Sequence, residues 1–400
     1  MATGSTTLGS RSAGKVVPTW TKSGLEGRLL DCDAHLYMEP DAMAEIVGEC
    51  GGGFVLDFLR GYYGSDKDIA ARAQNRDDVW GVKGISALGA LDPEGRLAAM
   101  DATGIRAQLL FPNTALCELR GDSAAAREAC RRYNDYAIDW TRRAGGRARV
   151  VCQINMAHAE HAIAELDRVL QRGAQAVLMS CAKPPGGVSP AHEAWDPFWA
   201  RLEAAGVPAL LHIGSGGVLT GVPPSDPMIP PREYSYAKSL KRSFEGRPGG
   251  EEAIGPYYVL ISHVGPEVWL TTMVMGGVFE RFPKLAFGVI ECGASWVGPM
   301  CERMDAHADL MAKVGFTYSL KPSEFMRRNV RVTPFWSEDL VKIVDRYGLS
   351  EIYVFNSDFP HIEGSRDPVG KFRKWTDRMD PAYESRFYFE NAGILFPGLN

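Results

Sequence analysis

Four residues of this chain combine side-chain types that bind divalent metal ions. Asp33 and His35 lie in the segment LLDCDAHL, His212 lies in ALLHIGS, and Asp358 lies in YVFNSDFPH. Each segment opens with a short apolar run typical of a β-strand, so each donor stands at the C-terminal end of a strand. Imidazole and carboxylate ligands that leave one coordination position open let a metal ion activate water or polarise a substrate. If these strands converge, the sequence predicts a metal-dependent enzyme.

The spacing of the first pair restricts where its side chains point. Residues two apart in a strand face the same side, so Asp33 and His35 point into the fold together or out of it together. The same rule places Asp31 on that face, one pleat deeper. Inward pointing would let one strand end hold an ion, whereas the alternative is a buried histidine hydrogen-bonded to an aspartate. His212 has the same two interpretations, as a metal ligand or as a hydrogen-bonded core histidine.

Further side chains are candidates for chemistry near those ligands. His263, in LISHVGPEV, is predicted to end the sixth strand. There it would act as a catalytic acid/base or an electrophile, or would only hydrogen-bond to a ligand. Asp358 could bind metal, move a proton, or do both, and His361 would contact substrate or cap its loop. Glu39 and Glu291 would support the ligands through hydrogen bonds or bind a second metal ion.

Eight apolar runs, each ending in turn or polar residues, must position these side chains. They span 29–35, 107–111, 148–155, 176–180, 209–213, 257–263, 285–291 and 352–358. Their apolar character is mostly continuous, as in parallel strands covered on both faces, and helical patterns lie between them. Eight such units predict an α/β fold, a (β/α)8 TIM barrel, in which Asp358 on strand eight lies beside strand one. The alternative is a doubly wound open sheet, but no glycine fingerprint follows the first strand.

Three connections are longer than ordinary barrel loops: residues 36–92, 214–255 and 313–351. They are predicted to be long insertions after strands 1, 5 and 7, and loops of that length are usually functional or form subunit contacts. The first two should shape the substrate pocket. The polar segment 1–24 lacks the apolar core of a signal peptide, so it is predicted to be a disordered leader before a single domain, 25–400.

Composition excludes several classes of function. Of the 400 residues, 45% are apolar and 23% are charged, as in ordinary globular proteins. The formal net charge of −5 shows no basic footprint, so no nucleic-acid partner is expected. No apolar stretch is long enough to cross a bilayer, so no membrane association is expected either. The eight cysteines form no CxxC pair, which favours reduced thiols and a cytoplasmic location.

Several motifs, in their order along the chain, resemble the amidohydrolase-related family. They are DCDAHLYMEP, LLHIGS, ISHVG, GGVFERFPKLAFGVIECGASWVGPMCERMD, NVRVTPFW and FNSDFPHIEG, over roughly residues 29–396. This is the branch of metal-dependent TIM-barrel enzymes that includes aminocarboxymuconate-semialdehyde decarboxylase. The resemblance implies a TIM-barrel fold.

The resemblance also implies four metal ligands: Asp33, His35, His212 and Asp358. It further implies that His263 is catalytic. Many members carry His-x-His on the first strand, whereas this chain has Asp-x-His. The harder carboxylate favours Mn²⁺ or Fe²⁺ over Zn²⁺ without excluding zinc. One ion is expected, and the change leaves room for a second, carboxylate-bridged ion.

The expected function is a metal-dependent hydrolase or non-oxidative decarboxylase that acts on a small carboxylated or carbonyl substrate. Asp358 or His263 would transfer the proton, and Lys183, Arg232 or Arg366 would hold a substrate carboxylate. One alternative is an O₂-activating iron or mixed Mn/Fe oxygenase or hydroxylase, with one ion or two, on the same fold. A second is a non-catalytic subunit that pairs with an active homologue in a hetero-oligomer. Otherwise a homo-oligomer is expected.

Overall fold

The computed structural model describes residues 24–50, 53–75, 78–112, 121–181, 183–213 and 256–399. Residues 1–23 of the predicted leader lie outside the described residues, as does the predicted insertion 214–255 with its candidate Arg232. The division into a leader and a single domain therefore stays a prediction.

The strands form two hydrogen-bonded groups in which all neighbours run parallel. The first group consists of β1 (Leu29–Leu36), β2 (Ile105–Pro112) and β3 (Ala148–Val150). The second consists of β4 (Cys152–Gln153), β5 (Val177–Leu178), β6 (Ala209–His212), β7 (Phe287–Ile290) and β8 (Val330–Val332).

The two groups join into a closed barrel with eight positions. β3 and β4 are parts of one extended segment interrupted at Val151, whose amide donates to a carbonyl of β2 at 3.0 Å. The eighth position is the segment 353–359, which pairs in parallel with β8 through Tyr353 and with β1 through Phe359. This ring confirms the predicted (β/α)8 TIM barrel and places Asp358 beside β1.

Helices surround the barrel. They are α1 (Pro40–Val47), α2 (Gly53–Tyr62), α3 (Asp66–Gln74), α4 (Pro93–Thr103), α5 (Ala124–Arg143), α6 (Ala159–Gln171), α7 (Asp196–Ala205), α8 (Pro256–Ile261), α9 (Val264–Met275), α10 (Val278–Arg281), α11 (Val297–Ala312), α12 (Pro322–Asn329), α13 (Leu340–Tyr347), α14 (Pro368–Thr376) and α15 (Pro381–Ser385). The connection from β1 to α4 contains α1, α2 and α3. In the described ranges, no helix is both long and apolar enough to span a membrane.

The sixth predicted strand is a helix instead. Residues 257–263 fall in α8 and in the turn before α9, and Pro256 occupies the first helical position, which proline fits well. The run YYVLIS is short and continuously apolar, and such a pattern does not distinguish a buried strand from a buried helix. The true sixth strand position is β7, and the true seventh is β8, which lies in the segment NVRVTPFW.

The predicted insertion 313–351 is therefore wrong, because that segment contains α12, β8 and α13. β8 is only three residues long and carries Arg331 in its middle. The buried guanidinium donates hydrogen bonds to three backbone carbonyl oxygens, with N–O distances between 2.6 and 2.9 Å, and these bonds offset the cost of burying its charge. Hydrophobic periodicity gives no sign of a strand so short that it centres on a charge.

Two hydrophobic clusters stabilise the barrel. The larger lies between the outer faces of the strands and the helices. The smaller fills the barrel with residues from successive strands, including Leu109, Leu210 and Ile290. Phe396 packs onto this inner cluster near the N-terminal ends of the strands, where Arg149 lies 5.4 Å from its ring centre. The C-terminal ends of the strands are therefore left for chemistry, as in TIM-barrel enzymes generally.

A β-bulge in β1 decides which side chains enter the barrel. The register between β1 and β2 shifts between Asp31 and Ala34. Cys32 belongs to the inner cluster, whereas Ala34 belongs to the outer one. Because one extra residue reverses the alternation, Asp33 and His35 point inward after the bulge, and Asp31 does not share their face. The prediction that Asp31 lies one pleat deeper on that face is wrong.

Candidate metal centre

Six buried side chains converge at the C-terminal ends of the strands. Two groups each place their ligand atoms within 4.8 Å of one another. The first group contains Asp33, His35, His212 and Glu291, and the second contains His35, Glu291, Asp358 and His361. None of the six exposes more than 8% of its surface. The structure thus brings together the four predicted ligands and two of the predicted supporting residues.

The backbone fixes the tautomer of His212. Its Nδ1 lies 2.8 Å from the carbonyl oxygen of Ile213, which only accepts, so Nδ1 carries the proton. Its Nε2 lies 3.3 Å from an oxygen of Asp33 and 3.2 Å from an oxygen of Glu291. Burial lowers the pKa of His212, although Asp33 opposes the shift. A neutral imidazole oriented in this way is suited to bind metal through Nε2.

His35 lies where the two groups overlap. Its Nε2 is 3.4 Å from a carboxylate oxygen of Asp33 and 3.3 Å from one of Asp358. An oxygen of Glu291 lies 4.0 Å from the same nitrogen. The ring stacks on His361, with ring centroids 3.4 Å apart. The side chain is therefore positioned to serve either group.

The three carboxylates differ in acidity because their neighbours differ. Burial alone would raise the pKa of Asp33, but the neighbouring imidazoles of His212 and His35 outweigh it and hold that pKa below its usual value. Burial also opposes the ionisation of Asp358, yet His361 and His35 hold its pKa well below its usual value. For Glu291, burial and then the charges of Asp358 and Asp33 raise the pKa well above its usual value. A divalent cation between them would favour the ionised form of all three.

The backbone is left-handed at two of these carboxylates. Glu291 has φ of 56° and Asp358 has φ of 54°. Such a conformation stores on the order of 1–3 kcal/mol at a residue with a side chain, and it persists only where surrounding contacts impose it. Glu291 directly follows β7, Asp358 precedes Phe359, which pairs with β1, and both carboxylates belong to the cluster. Neighbouring contacts must therefore hold both carboxylates in place.

The polar atoms of the cluster fit a cation. Within the described part of the chain, several of its buried atoms have no hydrogen-bond partner: Asp33 Oδ2, both ring nitrogens of His35, Glu291 Oε2 and Asp358 Oδ1. Buried polar atoms without partners are rare in native proteins because they are destabilising. Imidazole nitrogens and carboxylate oxygens are the ligands of Zn²⁺, Mn²⁺ and Fe²⁺ sites. The cluster is therefore suited to a divalent metal ion.

A buried carboxylate behind the cluster joins the two segments that carry most of the ligands. Oδ1 of Asp31 accepts a hydrogen bond from the amide of Ser357 at 2.9 Å. Its Oδ2 accepts from the hydroxyl of Ser357 at 2.6 Å and from Gln108 Nε2 at 2.7 Å. Since Ser357 directly precedes Asp358, these bonds tie β1 to the eighth segment across the seam that closes the barrel.

Arg96 supports the same region from α4. Its fully buried guanidinium donates to the carbonyl oxygen of His35 at 2.5 Å and to that of Gly89 at 2.8 Å. It also lies 5.0 Å from the ring centre of Phe359. Burial lowers the pKa of Arg96 to about 9, and the nearby Asp31 opposes that shift. Arg96 thus fixes the backbone that carries one of the ligands.

The structure does not bring His263 or Glu39 to the cluster. His263 precedes α9, where its Nε2 lies 3.8 Å from Glu267 and its ring stacks on Trp296 with centroids 6.1 Å apart. Glu39 is exposed and accepts a hydrogen bond from Tyr63 at 2.9 Å. Neither belongs to the two groups of ligand atoms. The predicted position of His263 at a strand end is wrong because that strand is a helix.

Two of the three cations that were expected to hold a carboxylate, Lys183 and Arg366, lie at the surface. Lys183 is exposed, and Arg366 exposes 76% of its side chain. Sequence reasoning missed Ser357, although its position directly before Asp358 was a readable signal. It also missed Lys83, whose ammonium is buried beside the cluster, because no pattern distinguishes a lysine in a long loop.

Residues 30–393 match a protein-family model described as Amidohydrolase. No curated protein matches the chain. The match covers every member of the candidate metal cluster, so the family comparison and the geometry concern the same part of the molecule.

Solved structures share this fold at low sequence identity. An amidohydrolase from Mycobacterium avium subsp. paratuberculosis K-10 has 22% identity and a TM-score of 0.66, with 91% of this chain and 98% of that chain covered. A 2,6-dihydroxybenzoate decarboxylase from Rhizobium has 18% identity and a TM-score of 0.60, with 92% and 98% covered. A 5-carboxyvanillate decarboxylase from Novosphingobium aromaticivorans, solved with manganese and 4-hydroxy-3-methoxy-5-nitrobenzoic acid, has 18% identity and a TM-score of 0.60, with 96% and 99% covered.

Proposed function

The chain belongs to the amidohydrolase family, and from that membership we propose that it is a manganese-dependent, non-oxidative decarboxylase of a small carboxylated substrate. The observation that carries this proposal is the buried cluster of imidazoles and carboxylates at the C-terminal ends of the barrel strands. Two structural relatives named as decarboxylases, one of them solved with manganese, support the choice of reaction and metal.

In this proposal the metal is held by Asp33, His35, His212 and Asp358. A donor set in which carboxylates accompany two imidazoles favours Mn²⁺ over Zn²⁺. A divalent ion here would polarise a substrate oxygen and stabilise the negative charge that develops as a carboxylate leaves as CO₂.

The protein itself supplies the proton. Loss of CO₂ leaves a carbanion carbon that must be protonated, so the reaction needs an acid next to the ligands. In our proposal Glu291 carries that proton, because its Oε2 lies 3.2 Å from His212 Nε2 and, among the six side chains of the cluster, it is the carboxylate outside the four proposed ligands. Asp358 serves as a ligand, because its imidazole neighbours favour its ionised form.

Product analysis in ¹⁸O-labelled water tests the reaction. Manganese-loaded protein is incubated with a panel of hydroxybenzoates that includes 2,6-dihydroxybenzoate and 5-carboxyvanillate. Release of CO₂ without ¹⁸O in the organic product supports the proposal, and Asp358→Asn should abolish it while the surface control Asp309→Asn should not. Incorporation of ¹⁸O into the organic product would show hydrolysis instead. Full manganese occupancy with no CO₂ from any acid would contradict decarboxylation.

One feature favours a second candidate function. The two groups of ligand atoms share His35 and Glu291, so Glu291 is placed to bridge two ions. A carboxylate-bridged iron or Mn/Fe pair would fit an O₂-activating oxygenase or hydroxylase on the same fold. Two metal ions per chain together with O₂-dependent loss of substrate would support this function. One ion per chain and undiminished turnover under strict anaerobiosis would exclude it.

A further inference from the structure

Lys83 is a buried cation that the proposed reaction leaves without a role. Its ammonium nitrogen is shielded from solvent and, among the residues that the structure describes, has no hydrogen-bond partner. An ammonium group carries three donors, and leaving them unpaired in the interior is destabilising. A site of this kind is stabilised when an anion enters it.

Backbone contacts hold Lys83 next to the metal-ligand cluster. The amide of the following residue, Gly84, donates to the carbonyl oxygen of Pro360 at 2.9 Å. The loop that carries Lys83 is thereby joined to the turn that follows Asp358. Among the charges that act on the ammonium, Asp358 has the strongest effect, followed by Glu363.

Two other cations lie near Lys83 in the fold, but neither combines burial with unpaired donors. Arg96 is fully buried, but backbone carbonyls already accept from its guanidinium. Arg366 exposes 76% of its side chain. Burial lowers the pKa of Lys83 to about 8, and the charge of Asp358 opposes this shift. Lys83 therefore combines burial, positive charge and unused donors beside a metal ligand.

We propose that Lys83 binds a carboxylate that the substrate keeps throughout the reaction. An ammonium stabilises a carboxylate more than the neutral CO₂ it becomes, so contact with the leaving group would slow decarboxylation. The retained group is therefore the productive partner. The substrate then carries two acidic groups, one that leaves at the metal and one that Lys83 holds. This assignment rests on the proposed function for the identity of the leaving group.

Anomalous scattering from bromide locates the anion site without knowledge of the substrate. Crystals of manganese-loaded protein are soaked in sodium bromide, and we expect a bromide peak within hydrogen-bond distance of Lys83 Nζ. Lys83→Met should remove this peak, Lys83→Arg should keep it, and Lys371→Met, which changes an exposed lysine, should not affect it. Absence of the peak in the wild type, or its persistence in Lys83→Met, would overturn the assignment.

Calorimetry with two probes tests the preference for a second acidic group. Isophthalate has two carboxylates and benzoate has one, so the wild type should bind isophthalate about 10-fold more tightly. Lys83→Met should bind both with equal affinity, and equal affinities in the wild type would also overturn the assignment.

The outcomes separate the two proposals. Bromide at Lys83 without CO₂ release would refute the decarboxylase but keep the anion site, and the reverse result would keep only the decarboxylase.

Discussion

Replacement of Ser357 by alanine would show whether the hydrogen bonds behind the cluster hold the metal ligands in place. The hydroxyl donates to Asp31 Oδ2 at 2.6 Å, and the two residues are 3% and 0% exposed. Above about pH 8 Asp31 is ionised, because its pKa is about 7, and a hydrogen bond to a buried charged group contributes about 1.5–3 kcal/mol. Gln108 and the Ser357 amide still satisfy Asp31, so we expect the free energy of unfolding to fall by about 2 kcal/mol.

The same variant should bind manganese more weakly. Ser357 precedes Asp358, whose left-handed backbone, with φ of 54°, depends on its surroundings. The substitution removes one of the two bonds from Ser357 to Asp31 that hold the eighth segment against β1. Loss of a group that orients metal ligands typically weakens metal binding by about 10- to 100-fold. We expect a rise of that size in the Kd for Mn²⁺, measured by calorimetric titration of chelator-treated protein.

Ser86→Ala is the matched control. Its buried hydroxyl also donates to a carboxylate at 2.6 Å, but the acceptor is Asp68, which belongs to neither group of metal-ligand atoms. Urea unfolding should show a similar loss of stability for both variants, while only Ser357→Ala should bind manganese more weakly. Unchanged manganese affinity in Ser357→Ala, together with the expected loss of stability, would refute a positioning role for this hydrogen bond.

The remaining predictions concern acidity, the displaced histidine and packing. The pKa of Asp31 is about 7 in the folded protein and about 3.9 in the unfolded chain. Protonation of Asp31 therefore adds to the free energy of unfolding below pH 4, and this contribution is lost as the pH rises to 7. In urea titrations, the stability of the wild type relative to Asp31→Asn should fall by about 1.4 kcal/mol per pH unit between pH 4 and 7 and then level off. His263→Ala should keep its manganese affinity within about twofold in calorimetry, because the ring faces Glu267. Gly288→Ala should lower the unfolding free energy by about 1–3 kcal/mol, because its methyl group would lie 2.6 Å from Leu210.

The ligands could be predicted because their signal is local. Asp33, His35, His212 and Asp358 each follow a short apolar run, and parallel strands place their C-terminal ends at one edge. Because a barrel is closed, its first and eighth strand segments must be neighbours. The structure places all four at the same end of the barrel, in two overlapping groups that share His35.

Hydrophobic pattern misassigned two segments of the chain. The apolar run 257–263 fits a buried helix as well as a strand, and its misassignment displaced His263. β8 was missed because Arg331 lies in a strand of three residues, and one of the carbonyls that accept from its guanidinium, that of Asn391, is distant in sequence. Contacts of that kind do not appear in a local window.

Register and long-range contacts decided the rest. The bulge in β1 turned Asp31 away from Asp33, so Asp31 bonds to Ser357 instead of lining the barrel. A single residue of register shift is not visible in the alternation of so short a strand. Lys83 gained its significance only from burial beside Asp358, which is distant in sequence.

Anomalous scattering at the manganese edge, measured on crystals of manganese-loaded protein, tests the central claim most directly. We expect a manganese peak within coordination distance of Asp33, His35, His212 and Asp358, and loss of that peak in Asp358→Asn. Manganese bound elsewhere on the chain, with no peak among these four side chains, would contradict it.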